Sequence, residues 1–135
     1  MAELESALPE RPDGRPRGHV LVADDEPGTV ALIADILEYS GFEVVTASDG
    51  LEALVRAREH RPQMAFLDVM MPGLDGREVC RRIRADPALA GTRVVLHSSA
   101  DEQDIDWRGA GADGFVRKPF RVRDLPATLD RFLRG

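Results

Sequence analysis

The sequence predicts an open, doubly wound sheet of five parallel strands with helices on both faces, in the strand order 2-1-3-4-5. Short apolar runs alternate with amphipathic stretches along nearly the whole chain, the pattern of repeated strand-helix-strand units. The runs VLVA, MAFL and VVL are continuously apolar rather than alternating, as strands buried on both faces are. The third observation is that polar residues stand directly after these runs. Asp24, Asp25 and Glu26 come after the first strand, Asp68 after the third, Ser98 and Ser99 after the fourth, and Lys118 after the fifth. In a parallel sheet those carboxyl ends share one edge, where ligands bind near the topological switch point.

HVLVA (19–23) is the first strand. In TVALIADILEYS (29–40) the residues Val30, Ile33, Ile36 and Leu37 fall on one helical face, and Gly41 ends the helix. FEVVTA (42–47) is the second strand, and LEALVRAREH (51–60) the second helix, with Leu51, Leu54 and Val55 expected inward. QMAFLD (63–68) is the third strand, REVCRRIRA (77–85) a third helix after the Pro72-Gly73 turn, and RVVLH (93–97) the fourth strand. DEQDIDWRGAGAD (101–113) has room only for a short fourth helix. GFVRK (114–118) is the fifth strand and DLPATLDRFL (124–133) the last helix, where Pro126 favours a late start capped by Asp124. Residues 1–17, with three prolines, mixed charge and few large apolar groups, read as a disordered tail before one domain spanning 18–135.

At 135 residues the chain can bury a core without disulfides or structural metal, and 43% hydrophobic with 31% charged residues is the balance of a soluble globular domain. Cys80 is the only cysteine, which excludes an intrachain disulfide and makes a reducing compartment the default. The first residues lack the apolar centre of a secretory signal, and no run approaches the roughly 18 apolar residues of a membrane span. A cytoplasmic location without membrane insertion is expected. The formal net charge of −6 disfavours direct nucleic-acid binding, because the long-range field repels phosphate. Arg77, Arg81, Arg82 and Arg84 form a local basic cluster, read as a solvated helix face. Seventeen arginines accompany a single lysine, Lys118. That position departs from the bias towards arginine, and it carries a compact point charge in place of a planar fork.

The stretch MAFLDVMMPG (64–73) ends an apolar strand on a carboxylate, which is costly unless the group is solvated or bound. Carboxylates crowded at one edge repel each other and favour a cation, and hard oxygen donors with room for water suit Mg²⁺. A divalent ion alone leaves Lys118 and Ser98 unexplained, whereas a phosphoryl group accounts for both. A carboxylate can attack a phosphoryl donor to give an aspartyl phosphate, with metal and lysine neutralising the transferring oxygens. A serine hydroxyl can then hydrogen-bond a phosphoryl oxygen.

VLVADDE, FLDVMMPGLDG, VVLHSS and FVRKPF, in this order and spacing, resemble the receiver domain of two-component response regulators over roughly residues 18–134. The resemblance implies a flavodoxin-like fold with Asp68 as phosphoacceptor. It implies Mg²⁺ held directly by Asp25 and Asp68, through water by Asp24, and by the backbone carbonyl of Met70. Ser98 matches the switch hydroxyl, Phe115 the aromatic that turns inward on activation, and Lys118 the phosphate-contacting lysine, followed by Pro119 in a cis peptide. The implied partners are a histidine kinase or phosphotransfer protein as donor and a downstream protein target. Such a protein is a signalling phosphoacceptor that catalyses only its own phosphorylation and dephosphorylation. With no room for an output domain, a single-domain, chemotaxis-receiver-like regulator is expected. The segment from Ser98 to Lys118 is slightly shorter than the family pattern, and Trp107 and Arg108 stand where small or apolar helix residues are usual.

Blander readings exist for each residue. Asp24 and Asp25 alone would serve as a capping pair and Asp68 as a turn starter, but beside Lys118 they read as one site. His97 reads as a packing residue rather than a phosphate carrier or metal ligand, and Gly73 and Gly76 as turn residues. The main alternative function is a pseudo-receiver, an interaction module that does not use phosphorylation. A phosphatase of the haloacid dehalogenase type would need a second aspartate where Met70 stands, and no Ser/Thr-rich phosphate loop follows the first strand as in flavodoxin.

Overall fold

The computed structural model describes residues 16–134. Five parallel strands form one sheet: β1 (His19–Ala23), β2 (Glu43–Ala47), β3 (Met64–Asp68), β4 (Arg93–Ser98) and β5 (Gly114–Arg117), in the order β2-β1-β3-β4-β5. Order and direction are those expected. The helices are α1 (Pro27–Tyr39), α2 (Gly50–His60), α3 (Gly76–Ala85) and α4 (Leu125–Arg134). Side chains alternate across the strands, so the register sorts them into two cores. Leu21, Leu67 and Leu96 pack under α2 and α3, and Val22, Phe66 and Val95 under α1 and α4.

Short acidic caps start three of the helices on the side of the strand ends. Glu26 accepts from the N–H of Gly28 (3.1 Å), Asp49 from that of Glu52 (2.8 Å), and Asp75 from those of Arg77 and Glu78 (2.8 and 3.1 Å). Each carboxylate satisfies amide groups that have no partner within the helix. The loop from Asp68 to α3 is compact because Gly76 lies against the strand end: a Cβ there would collide with the carbonyl oxygen of Asp68.

Three expectations need correction. On α2 the buried stripe is Gly50, Ala53, Leu54 and Ala57, while Leu51 and Val55 are 58% and 54% exposed. Leu54 points inward as expected and the small residues bring the helix close to the sheet, while Leu51 and Val55 face away. Residues 101–113 hold no α-helix, only a 3-10 turn at Glu102–Asp104 followed by successive turns. Asp106 accepts from the N–H of Gly109 (3.0 Å), and Gly111 has φ +93°, so local side-chain and glycine conformations displace a helical ladder. Arg84 does not share a solvated face with Arg81 and Arg82, which pair with Glu78. It donates instead to the carbonyls of Gly111 and Thr92 and to Asp113 Oδ2 (2.6 Å). The last helix, α4, starts at Leu125, directly after Asp124 as expected, with a 3-10 turn at Val122–Asp124 leading into it; Pro126 sits in its first turn, where a missing N–H costs no helical bond.

The expected tail lies outside the described residues apart from Pro16 and Arg17. Arg17 donates its backbone N–H to Gly41 O and its Nε to Ser40 O, both at 2.8 Å. Among the described residues no helix is long and apolar enough to cross a membrane.

Candidate functional site

The carboxyl ends of β1, β3, β4 and β5 converge at one edge of the sheet. Asp24 follows β1 and is 1% exposed; Asp68 ends β3 and is 3% exposed. Each uses one oxygen locally. Asp24 Oδ1 accepts from the N–H of Glu26 (2.9 Å) and Asp68 Oδ1 from that of Met70 (3.2 Å). The remaining oxygens face each other across the Lys118 ammonium, which lies 3.1 Å from Oδ2 of both. Lys118 follows β5, donates its own N–H to Ser98 O (2.8 Å), and joins Pro119 through a cis peptide. Two buried carboxylates therefore share one cation, and the exposed Asp25 adds further negative charge beside them.

The two acids respond in opposite directions. Burial, then the charge of Asp24, pushes the Asp68 carboxyl up to about 6, with Lys118 opposing. Burial also disfavours the Asp24 anion, but the Glu26 N–H and Lys118 outweigh it and hold that carboxyl below its ordinary value. Burial likewise disfavours the Lys118 ammonium, yet Asp24 and Asp68 raise it overall. The cluster keeps a negative surplus made of hard oxygen donors, which suits a cation with a strong preference for oxygen.

Ser98 ends β4 and is buried, with its hydroxyl oxygen accepting from the N–H of Ala100 (3.1 Å). It is at the edge but turned to its own loop. Phe115, opposite Leu96 in the β4–β5 register, is half-buried against the core under α2 and α3. Met70 contributes its N–H to Asp68 while its side chain is exposed. The structure thus joins Asp24, Asp68 and Lys118 in direct contact and places Asp25, Met70 and Ser98 beside them, with Phe115 one layer below.

The sequence reads His97 as a packing residue, and it does pack. It is 0% exposed, its ring stacked on Phe66 (centroids 4.1 Å) and edge-on to Phe120 (5.7 Å). Its register partner is Asp68, however, and Nδ1 lies 4.0 Å from Asp24 Oδ2. Among the described residues neither ring nitrogen forms a hydrogen bond; the Ala23 carbonyl favours a proton on the ring without meeting hydrogen-bond geometry. Burial, then Lys118, pushes the imidazole down to about 3, so it is neutral. The sequence signal is its alternation with Val95, on the same face as Phe66 and Asp68.

A parallel 2-1-3-4-5 sheet with an acid pair and a lysine at its carboxyl edge defines a class of phosphoacceptor domains. The family model of the response regulator receiver domain matches residues 20–130, and the chain belongs to that family. It is 38% identical over 115 residues to the alkaline phosphatase synthesis transcriptional regulatory protein PhoP of Bacillus subtilis, covering 85% of this chain and 48% of that one. It is 37% identical over 119 residues to the DNA-binding response regulator MtrA of Mycolicibacterium smegmatis, covering 87% and 51%. Among solved structures, the chemotaxis response regulator CheY4 of Vibrio cholerae superposes with TM-score 0.80 at 30% identity, over 84% of this chain and 97% of that one. The chain spans about half the length of the curated relatives. Their names describe transcriptional and DNA-binding regulators, so they lend no support to the expectation that nucleic acid is excluded as a partner. Phosphorylation and Mg²⁺ binding are general features of receiver domains.

Proposed function

We propose that Asp68 accepts a phosphoryl group from the phosphohistidine of a histidine kinase or phosphotransfer protein and that the modification switches a surface read by a downstream protein. The observation that carries this reading is the buried Asp24–Lys118–Asp68 cluster, with both carboxylate contacts at 3.1 Å. A carboxylate oxygen of Asp68 attacks phosphorus, the O–P bond forms as the donor's N–P bond breaks, and the bonding pair leaves on the donor imidazole, which takes up a proton. Lys118 sits where it can leave the carboxylate pair and follow the phosphoryl oxygens.

The donor set fits Mg²⁺: Asp24, Asp25 and Asp68, with the carbonyl of Met70, are all oxygen ligands in a cluster carrying surplus negative charge. When bound, the ion neutralises charge on the transferring oxygens. The Ser98 hydroxyl accepts from Ala100 and keeps its own proton to donate. Turning it to a phosphoryl oxygen frees space towards which the half-buried Phe115 can rotate. The protein acts as a signalling phosphoacceptor in the cytoplasm, its catalysis limited to its own phosphorylation and dephosphorylation.

The helix-free segment before β5 favours one rival, a pseudo-receiver that keeps the fold as an interaction module. Labelling with acetyl phosphate in the presence of Mg²⁺ separates the two. Wild type should acquire a hydroxylamine-labile acyl phosphate and Asp68→Asn none. An unlabelled wild type would establish the pseudo-receiver.

A further inference from the structure

We propose that Asp24, Asp68 and His97 form a second cation site, for a divalent ion with affinity for imidazole such as Zn²⁺ or Co²⁺, which enters by displacing the Lys118 ammonium. Each of the three residues offers a ligand atom within 4.8 Å of the others. The place is already built for positive charge. With both Oδ1 atoms held by backbone N–H groups, the two Oδ2 atoms converge on one point, now filled by Lys118 Nζ at 3.1 Å from each.

His97 makes this more than an acidic cluster. It is fully buried, both ring nitrogens lack hydrogen bonds among the described residues, and Nδ1 is the ring atom 4.0 Å from Asp24 Oδ2. Stacking on Phe66 and the edge contact with Phe120 fix the ring plane, so the nitrogen is presented without further ordering. A neutral imidazole has little to offer Mg²⁺, which prefers oxygen, but it is a good ligand for Zn²⁺ and Co²⁺. Bonds of about 2.0 to 2.2 Å require the ligand atoms to draw closer than they stand. The carboxylates can make that movement once Lys118 withdraws, because the lysine side chain is 28% exposed and its flexible stem reaches solvent. One ligand position remains for water.

The consequence rests on the reading of Asp68 as phosphoacceptor. An ion holding Asp68 Oδ2 and expelling Lys118 removes both nucleophile and counter-charge, so transition-metal occupancy silences the receiver where Mg²⁺ supports it.

The test uses the whole chain with His19→Gln and His60→Gln, which leaves His97 as its single histidine. Titration with Co²⁺ should give the intense visible bands of low-coordinate, nitrogen-ligated cobalt and saturate at one equivalent. His97→Gln should weaken Co²⁺ binding more than about tenfold and leave Mg²⁺ binding in place. Lys118→Met should tighten Co²⁺ binding, since it removes the competitor. Equal Co²⁺ affinity with and without the imidazole overturns the site. Because His97→Gln changes a buried residue, the ¹⁵N resonances of the His97 ring supply a second readout on the chain that retains it: one equivalent of Zn²⁺ should shift them, and unmoved resonances overturn the proposal. Neither readout involves phosphorylation, so failure of the Asp68 assignment would be seen separately in the acetyl phosphate experiment.

Discussion

At the scale of single residues, two neighbouring aspartates carry opposite linkages to pH. The Asp68 carboxyl is pushed up to about 6 from an ordinary 3.8, so between those values the folded state binds more protons than the unfolded one, and stability falls as pH rises through that window. Asp24 is held below its ordinary value, so its contribution is present above that value and is lost on acidification. Asp68→Asn should therefore raise the melting temperature at pH 7 without Mg²⁺, and the gain should shrink between about pH 6 and 4. Asp24→Asn should lower it. Thermal melts across pH check both, and a gain for Asp68→Asn that is independent of pH would contradict the desolvated carboxylate. Lys118 is the second residue with a sharp consequence. Its ammonium sits equally far from both Oδ2 atoms, a geometry for a point charge. In Lys118→Arg the broad guanidinium should grip the carboxylates and stay, so the chain folds and still accepts phosphate while Phe115 responds less. NMR of Phe115 with beryllofluoride bound measures this; full switching would remove any special role for the lysine. Asp24, Asp68 and Lys118 are legible in sequence because each terminates an apolar run. The role of His97 is not, because a histidine inside a strand looks like packing until the register places it beside Asp68.

At the scale of elements, α2 separates pattern from packing. The sequence pattern selects its large apolar residues, yet the helix buries Ala53 and Ala57 and leaves Leu51 in solvent. Ala57→Leu should thus overpack the helix against the sheet and cost about 1–3 kcal/mol. Leu51→Ala should change stability by less than about 0.5 kcal/mol. Urea denaturation of the two variants tests the assignment, and the reverse ranking would refute it. Strands are easier to read, since burial on both faces leaves a continuous apolar run whichever neighbour each strand finds. The segment 101–113 is hardest. Its helix-compatible length is overruled by Asp106 bonding back to Gly109 and by Gly111 at positive φ, neither of which shows as a change in hydropathy.

At the scale of the whole molecule, Arg84 joins parts that the sequence keeps apart. From α3 it reaches the carbonyls of Gly111 and Thr92 and the carboxylate of Asp113, which in turn accepts from the N–H of Val94 (2.8 Å). This clamp holds the connection between β4 and β5 where a helix was expected. Arg84→Ala should cost about 1–3 kcal/mol by removing the donor to the Gly111 and Thr92 carbonyls and leaving Asp113 with Val94 and Arg93 alone, and hydrogen exchange at Asp113 to Phe115 should accelerate before global unfolding. Unchanged protection there would mean that the segment is held by its own turns. The sequence by itself determined the parallel sheet, its order and the edge at which Asp24, Asp68 and Lys118 meet, because alternating strands and helices admit few topologies and polar residues at strand ends must lie at the carboxyl edge. Only the tertiary structure decided which face of α2 is buried, that Arg84 serves as a clamp, and that an unbonded imidazole lies beneath the acid pair. Those depend on distances between elements far apart in the chain, and no local pattern encodes them.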